Sequence, residues 1–402
     1  MIKFKKLPPN IMQPKSTRPY TEESLQRFKE KISFTRKCYT ERLKDPTYAS
    51  EVPHEIGLKL TNRCDLRCTH CFQWNDAGFH RHLDKKEVKV QGDLDIDIVK
   101  KLFEETRHTK SHFYLWGGEP MIYTYWNELV ELLANDPRDT VVCTNGLSIK
   151  RKVDSLIKIS ERLTTLVSVE GLEAQHDKLR GKGTFKKIMD NVDHLIDLQK
   201  QDIYKGHISI AAVFSEDLIP HLYECCEYFE AKGIDTLYFN FPWYIPEDEA
   251  QKMTDFYNEN YSWLEKSRIR RKTWESFDFN IDISKLNDLL AQIDRILAKT
   301  WNIRIRFQPN LELHEIKAYI EGSSKAPSCK STCLGISNRM DVMPSGSVVS
   351  CKKFTEFKMG NLHANSMKEV WHGETFNKFR ETHNNELMPI CAKCEILFSN
   401  GM

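Results

Sequence analysis

The chain reads as an α/β protein built on a parallel sheet, and three features of its 402 residues carry that reading. Short apolar runs alternate with amphipathic stretches from residue 54 onward. Consecutive strands are separated by helices of ordinary length, the crossover that parallel pairing requires. The length suffices for one large α/β domain and a smaller one, each with a buried core. An open sheet and a partial barrel both fit this alternation.

Residues 1–50 are polar and basic, with one helix expected over 21–43, opened by Thr21-Glu22-Glu23. They read as an N-terminal arm or lid. Residues 56–60 form the first expected strand, which runs directly into a cysteine-rich loop. There follow helix 95–107, strand 112–116, helix 124–134, strand 139–143, helix 150–160, strand 164–169, helix 184–200, strand 207–213, helix 217–232 and strand 235–240. Residues 246–300 break the repeat with Tyr257, Tyr261, Trp263, Trp274 and the basic run Arg268–Lys272, then an amphipathic helix near 284–299. This segment reads as a solvated helical insertion or as a cap over a substrate. A strand over 303–307 precedes a loop-rich, cysteine-bearing end. The expected division is therefore an arm over 1–50, an α/β core over 51–245, an insertion with a bridging strand over 246–310, and a C-terminal unit over 311–402.

The balance of 59 basic against 57 acidic residues, net +2, gives no field that would favour nucleic acid or an anionic membrane. The first 30 residues are charged and carry Pro8, Pro9 and Pro14 without an apolar segment, and no run approaches the ~18 apolar residues of a membrane span. A cytoplasmic protein is expected. Twelve cysteines in such a chain point to metal or redox roles rather than disulfides. They fall in two groups, Cys64, Cys68 and Cys71 near the start, and Cys329, Cys333, Cys351, Cys391 and Cys394 in the last quarter.

Three thiols on one short segment are one ligand short of a closed tetrahedral site. An open metal position is where chemistry occurs, although zinc accepts the same three donors. The ends of the following strands add polar groups. Strand 112–116 runs into Gly117-Gly118-Glu119-Pro120, where glycines allow close backbone approach and Glu119 offers a carboxylate to an amine. Strand 139–143 ends in Thr144-Asn145-Gly146. Strand 164–169 covers Ser168 and Val169 and leads into Glu170-Gly171, with His176, Asp177 and Arg180 close behind; the planar fork of Arg180 suits a carboxylate.

The cysteine loop and these strand-end motifs, in this order, resemble the radical S-adenosylmethionine (radical SAM) superfamily. The resemblance implies a partial (β/α)6 barrel with its site at the carboxyl ends of the strands. It implies a [4Fe–4S] cluster on Cys64, Cys68 and Cys71, with SAM on the open iron. By the same resemblance Phe72 neighbours the adenine; Val213 on strand 207–213 reads as a further adenine contact or as a core residue. Gly117, Gly118, Glu119 and Pro120 face the methionine amino group, Thr144 and Asn145 stand beside the cofactor, and Ser168, Glu170 and Arg180 reach its ribose and carboxylate. Glu170 stands where the family often has aspartate. His70 reads as a loop residue rather than a fourth ligand.

The C-terminal quarter resembles the SPASM auxiliary-cluster domain. Cys333 is followed after twelve residues by Gly346 and after four more by Cys351, across a hairpin turning at Pro344-Ser345-Gly346. Gly360-Asn361-Leu362, the segment Met367–Trp371 and Cys391-Ala392-Lys393-Cys394 complete the pattern. A full SPASM domain continues with further cysteines, whereas this chain stops at Met402. One auxiliary [4Fe–4S] cluster on Cys333, Cys351, Cys391 and Cys394 is expected, as in Twitch-like members, with Cys329 outside the usual spacing. Of the remaining cysteines, Cys143 is expected to pack at its strand end. Cys225 and Cys226 sit mid-helix, one packed and one half exposed. Trp243 and Tyr244 are expected in a substrate wall.

What the resemblance implies is a radical SAM oxidoreductase that cleaves SAM to a 5′-deoxyadenosyl radical and oxidises a substrate. The substrate expected is a ribosomally made peptide that gains a thioether or carbon–carbon crosslink. The alternative is dehydrogenation of a small metabolite such as an aminocyclitol or sugar, and a third class is a non-catalytic iron–sulfur or zinc interaction protein. A one-electron donor such as flavodoxin or ferredoxin is the expected protein partner, with no nucleic acid and no membrane. No side chain is assigned as acid, base or hydrogen donor.

Overall fold

The computed structural model describes residues 12–80, 92–264, 271–323 and 330–401. Cys329 and residues 268–270 of the basic run lie outside the described residues.

The chain opens with a short strand, β1 (Lys15–Ser16), and helix α1 (Glu22–Arg42), capped by Thr21, whose side chain accepts from the Ser24 amide at 3.1 Å. The α/β repeat then runs through β2 (Glu55–Thr61), α2 (Ile96–Glu105), β3 (His112–Gly117), α3 (Trp126–Asn135), β4 (Thr140–Thr144), α4 (Val153–Lys158) and β5 (Leu163–Ser168). It continues through α5 (Glu173–Arg180), α6 (Thr184–Lys200), β6 (His207–Val213), α7 (Leu222–Lys232) and β7 (Thr236–Asn240). The insertion contributes α8 (Glu247–Asn260) and α9 (Leu286–Ala298), then β8 (Thr300–Trp301) and β9 (Arg304–Gln308). Strands β10 (Arg339–Val342), β11 (Ser347–Val349) and β12 (Lys358–Asn361) belong to the C-terminal quarter.

The sheet order is β12-β11-β10-β2-β3-β4-β5-β6-β7-β9. From β10 to β9 every neighbour is parallel. The outermost strands do not pair with each other, so the structure is a partial barrel. The six strands of the α/β repeat are its centre, and the sheet extends beyond them on both sides, on one side by the strand expected over 303–307. β9 joins the edge of β7. The C-terminal hairpin docks β10 against β2, covering an edge that would otherwise expose unpaired backbone groups. Met340 and Val342 of β10 are fully buried there.

Alternation along the strands separates two faces. Val142, Val167, Ala212 and Phe239 are fully buried against the helices, while Cys143, Ser168, Val213 and Tyr238 face the barrel interior and remain partly exposed. The interior is thus an open, mixed-polarity concavity, with the helical layer supplying the core.

α1 crosses the opposite end of the barrel. Arg27 pairs with Asp139 at 2.7 Å, Phe34 stacks on His54 at 4.6 Å, and Arg42 reaches the C-terminal quarter. Asp139 and His54 precede β4 and β2, so this helix lies under the amino ends of the strands. The N-terminal segment therefore forms a floor, away from the strand ends that carry the motifs. Among the described residues no helix is long and apolar enough to cross a membrane.

Candidate active site

The loop carrying Cys64, Cys68 and Cys71 is stitched to the carboxyl ends of β3 and β4. The Gly118 amide donates to Thr61 O at 2.8 Å and the Glu119 amide to Arg63 O at 2.8 Å. A Cβ at Gly117, where φ is +152°, would lie 2.3 Å from Thr61 O, and one at Gly118 would lie 2.1 Å from Arg63 O. Both glycines are therefore required where β3 meets the cysteine loop; their close approach is to protein backbone. Pro120 starts a buried one-turn helix directly afterwards.

Glu119 is fully buried and knots this region together. One carboxylate oxygen accepts from the Met121 amide at 3.0 Å and the Thr144 hydroxyl at 2.8 Å, and the other accepts from the Asn145 amide at 2.7 Å. Burial outweighs these bonds and pushes its pKa up to about 7. The Asn145 side chain in turn donates to Asp65 in the cysteine loop at 2.6 Å.

At β5 the Glu170 carboxylate is 1 % exposed and meets Arg180, with nitrogens at 2.6 and 3.0 Å, and His70 at 3.3 Å. The Val213 amide donates to its second oxygen at 2.5 Å. Burial alone would raise this carboxyl, but the Arg180 guanidinium and His70 hold it well below the usual range. The third Arg180 nitrogen lies 3.7 Å from the Cys68 sulfur. Glu170 and Arg180, expected to reach a ligand, are paired with each other, and His70 joins that pair. Ser168 and the Val213 side chain face the interior. Burial pushes the Cys68 thiol up to about 11 and the Cys64 thiol to about 12, so binding a metal would release their protons.

The second thiol group converges on one cavity. Cys333, Cys351, Cys391 and Cys394 line it together with Trp243, Phe354, Lys353 and His383. Trp243, expected in a substrate wall, faces these cysteines, with the Lys353 ammonium 3.4 Å from its ring centroid. Cys225 and Cys226 are both fully buried on α7, which overturns the expectation that one is half exposed. Lys353 and Phe277 were not singled out by sequence. Lys353 sits two residues after a ligand-type cysteine, a signal that could have marked it. Phe277 lies in an irregular stretch with no periodicity to read.

Phe277 closes the gap between the two groups. Phe72, adjacent to Cys71, stacks on Phe277 with centroids 4.7 Å apart, and Phe277 lies 5.5 Å from Trp243 and 5.6 Å from Phe354. A short aromatic seam thus joins the cysteine loop to the four-cysteine cavity.

A three-thiol loop thus sits at the mouth of a partial parallel barrel, beside a second cavity lined by four thiols. Residues 58–213 match the radical SAM superfamily, and residues 333–395 match the SPASM iron–sulfur cluster-binding domain. The chain belongs to the radical SAM superfamily and carries a C-terminal SPASM domain. It is 28% identical over 184 residues to the sporulation killing factor maturation protein SkfB of Bacillus subtilis (strain 168), a match spanning 43% of this chain and 42% of that protein. It is 23% identical to a cysteine-type anaerobic sulfatase-maturating enzyme of Clostridium novyi (strain NT), over 83% of each chain. In fold it resembles Streptococcus suis SuiB bound to S-adenosylmethionine, with a TM-score of 0.56 at 16% identity, covering 90% of this chain and 74% of that one. SuiB has also been solved bound to the precursor peptide SuiA.

Proposed function

We propose that the chain is a radical SAM enzyme that oxidatively modifies a peptide, through a thioether, a carbon–carbon bond or a related crosslink in a ribosomally made substrate. The observation that carries this reading is the joining of two thiol centres by the seam Phe72–Phe277–Trp243. An oxidation leaves an electron that needs a nearby acceptor, and a closed four-thiol site beside the open one suits that task. The peptide is favoured because relatives of this architecture bear the names of maturation proteins, and because SuiB has been solved with its precursor peptide.

The donor sets fit the groups. Three sulfurs on Cys64, Cys68 and Cys71 would hold a [4Fe–4S] cluster with one iron left for SAM, and Cys333, Cys351, Cys391 and Cys394 would close a second cluster. Once bound, the first cluster and SAM supply one-electron cleavage of the cofactor's carbon–sulfur bond and removal of an unactivated hydrogen atom. The cofactor's surround would be Phe72, Gly117, Gly118, Glu119, Pro120, Thr144, Asn145, Ser168, Glu170, Arg180 and Val213. In this reading Glu119 holds the cysteine loop against β4, Arg180 and Glu170 hold it against β5, and the aromatic seam keeps water from the space between the thiol groups. An external one-electron donor such as flavodoxin or ferredoxin would feed the site, in the cytoplasm and without nucleic acid or membrane.

The test is anaerobic turnover with SAM and a reductant. Short peptides encoded beside the gene are offered in parallel with aminocyclitols and sugars. Loss of two hydrogens from a peptide, read by mass spectrometry, supports the proposal. Oxidation of the small metabolites alone would replace it.

A further inference from the structure

Two guanidinium groups are buried behind the four-cysteine cavity without an ion-pair partner among the described residues. Arg42 is 4 % exposed and Arg380 is fully buried. Arg42, carried on α1, donates to Cys333 O at 3.1 Å, the Ser337 hydroxyl at 3.2 Å, Arg380 O at 3.4 Å and the Asn384 side chain at 3.0 Å. Arg380 donates to Ile336 O and to the Asn377 side chain, each at 2.8 Å, and stacks on Trp371 and Phe376. Every one of these acceptors is neutral, and among the described residues no carboxylate forms an ion pair with either group; the exposed Asp45 acts on Arg42 only from a distance. Arg42 Nε and Arg380 Nη2 have no partner at all.

The other cations at this cavity are matched. Lys352 and Lys353 share Glu395, and Arg339 is held by Asp341 and Glu55. An unpaired buried charge costs several kcal/mol, so two of them beside one cavity call for an anion within it. His383 lines the same cavity, and its Nδ1 has no partner. A four-iron cluster held by four thiolates is a net anion whose charge grows more negative on reduction. Nearby positive charge and N–H donors favour that reduced state and raise the potential.

We propose that the charges of Arg42 and Arg380 behind the cavity, with the neutral His383 ring as an N–H donor in its lining, raise the reduction potential of the auxiliary centre and make it the acceptor of the substrate's electron. The inference rests on the two-cluster reading above. Arg42 acts as a positioning and tuning residue, and it makes the floor helix α1 an electrostatic part of a centre on the far side of the chain's sequence.

The experiment is a redox titration of the anaerobically reconstituted full chain followed by EPR, with iron counted in each sample. In Arg42→Gln the auxiliary signal should need a lower potential, with the reduced-to-oxidised ratio at a fixed poise falling about tenfold, equivalent to about 59 mV for one electron. Arg42→Lys should restore most of it, His383→Phe should move it in the same direction, and the SAM-site cluster should not move. His383→Phe keeps the ring stacked on Phe379 and carries the test if Arg42→Gln loses iron. Unchanged auxiliary potentials in iron-replete variants overturn the tuning alone. A wild-type chain that reconstitutes with about four irons and one signal overturns the two-cluster reading and this inference with it.

Discussion

Arg180 places two nitrogens on a single oxygen of Glu170, Nε at 3.0 Å and Nη2 at 2.6 Å, and rests Nη1 3.7 Å from the Cys68 sulfur. A strand-end carboxylate and a helix-end guanidinium thus position a thiol on a third segment. Glu170→Gln keeps the shape but leaves Arg180 buried without its charge partner. A loss of about 3 kcal/mol is expected, as for a broken buried pair, read as a lower urea midpoint for the anaerobic protein. An unchanged midpoint would mean that the pair does not brace the cysteine loop.

Gly118 has no room for a side chain, because a Cβ would lie 2.1 Å from Arg63 O. Gly118→Ala must push the cysteine loop off β3. Bound iron is expected to fall from about eight towards about four per chain as the open site is lost and the closed one is kept. Metal analysis with Mössbauer spectra checks this, and full iron retention would contradict it.

His176 is fully buried, and its Nδ1 accepts the Glu170 amide at 3.1 Å. Burial, reinforced by the Arg180 charge, lowers its pKa from 6.5 to about 4. The unfolded chain therefore binds a proton in this window while the folded chain does not, so stability falls as pH drops from about 6.5 to about 4, by about 3 kcal/mol in full. Urea unfolding at several pH values should trace this acid limb, and His176→Asn should flatten it. An identical limb in the variant would assign the loss to other groups.

The fold was legible because the α/β alternation is strong: strand 207–213 and helix 184–200 agree with the observed β6 and α6 residue for residue. The recruitment of β10 to β2 was not, because residues 339–342 read as one arm of a hairpin, and nothing local names a partner nearly three hundred residues away. At the site, spacing grouped the cysteines that line one cavity. Spacing could not tell that Glu119, Glu170 and Arg180 bond to protein groups, since a carboxylate beside a glycine turn looks the same in either role. The Arg42 contact depends on α1 crossing the barrel floor, which no motif encodes.

The closed cavity should be separable from the open loop. Cys394→Ala is expected to reduce bound iron by about half while leaving SAM cleavage measurable and abolishing net oxidation of substrate. Iron analysis paired with product analysis checks both halves. Retained oxidation at half iron would remove the electron-acceptor role from the C-terminal centre.

The most direct measurement is 5′-deoxyadenosine formation by the anaerobically reconstituted chain with SAM and a one-electron reductant, beside Cys68→Ala. Reductant-dependent 5′-deoxyadenosine from the wild-type chain, absent from Cys68→Ala, is the result expected of a loop that holds the open cluster. Equal amounts from both, or none from an iron-replete wild-type chain, would contradict it.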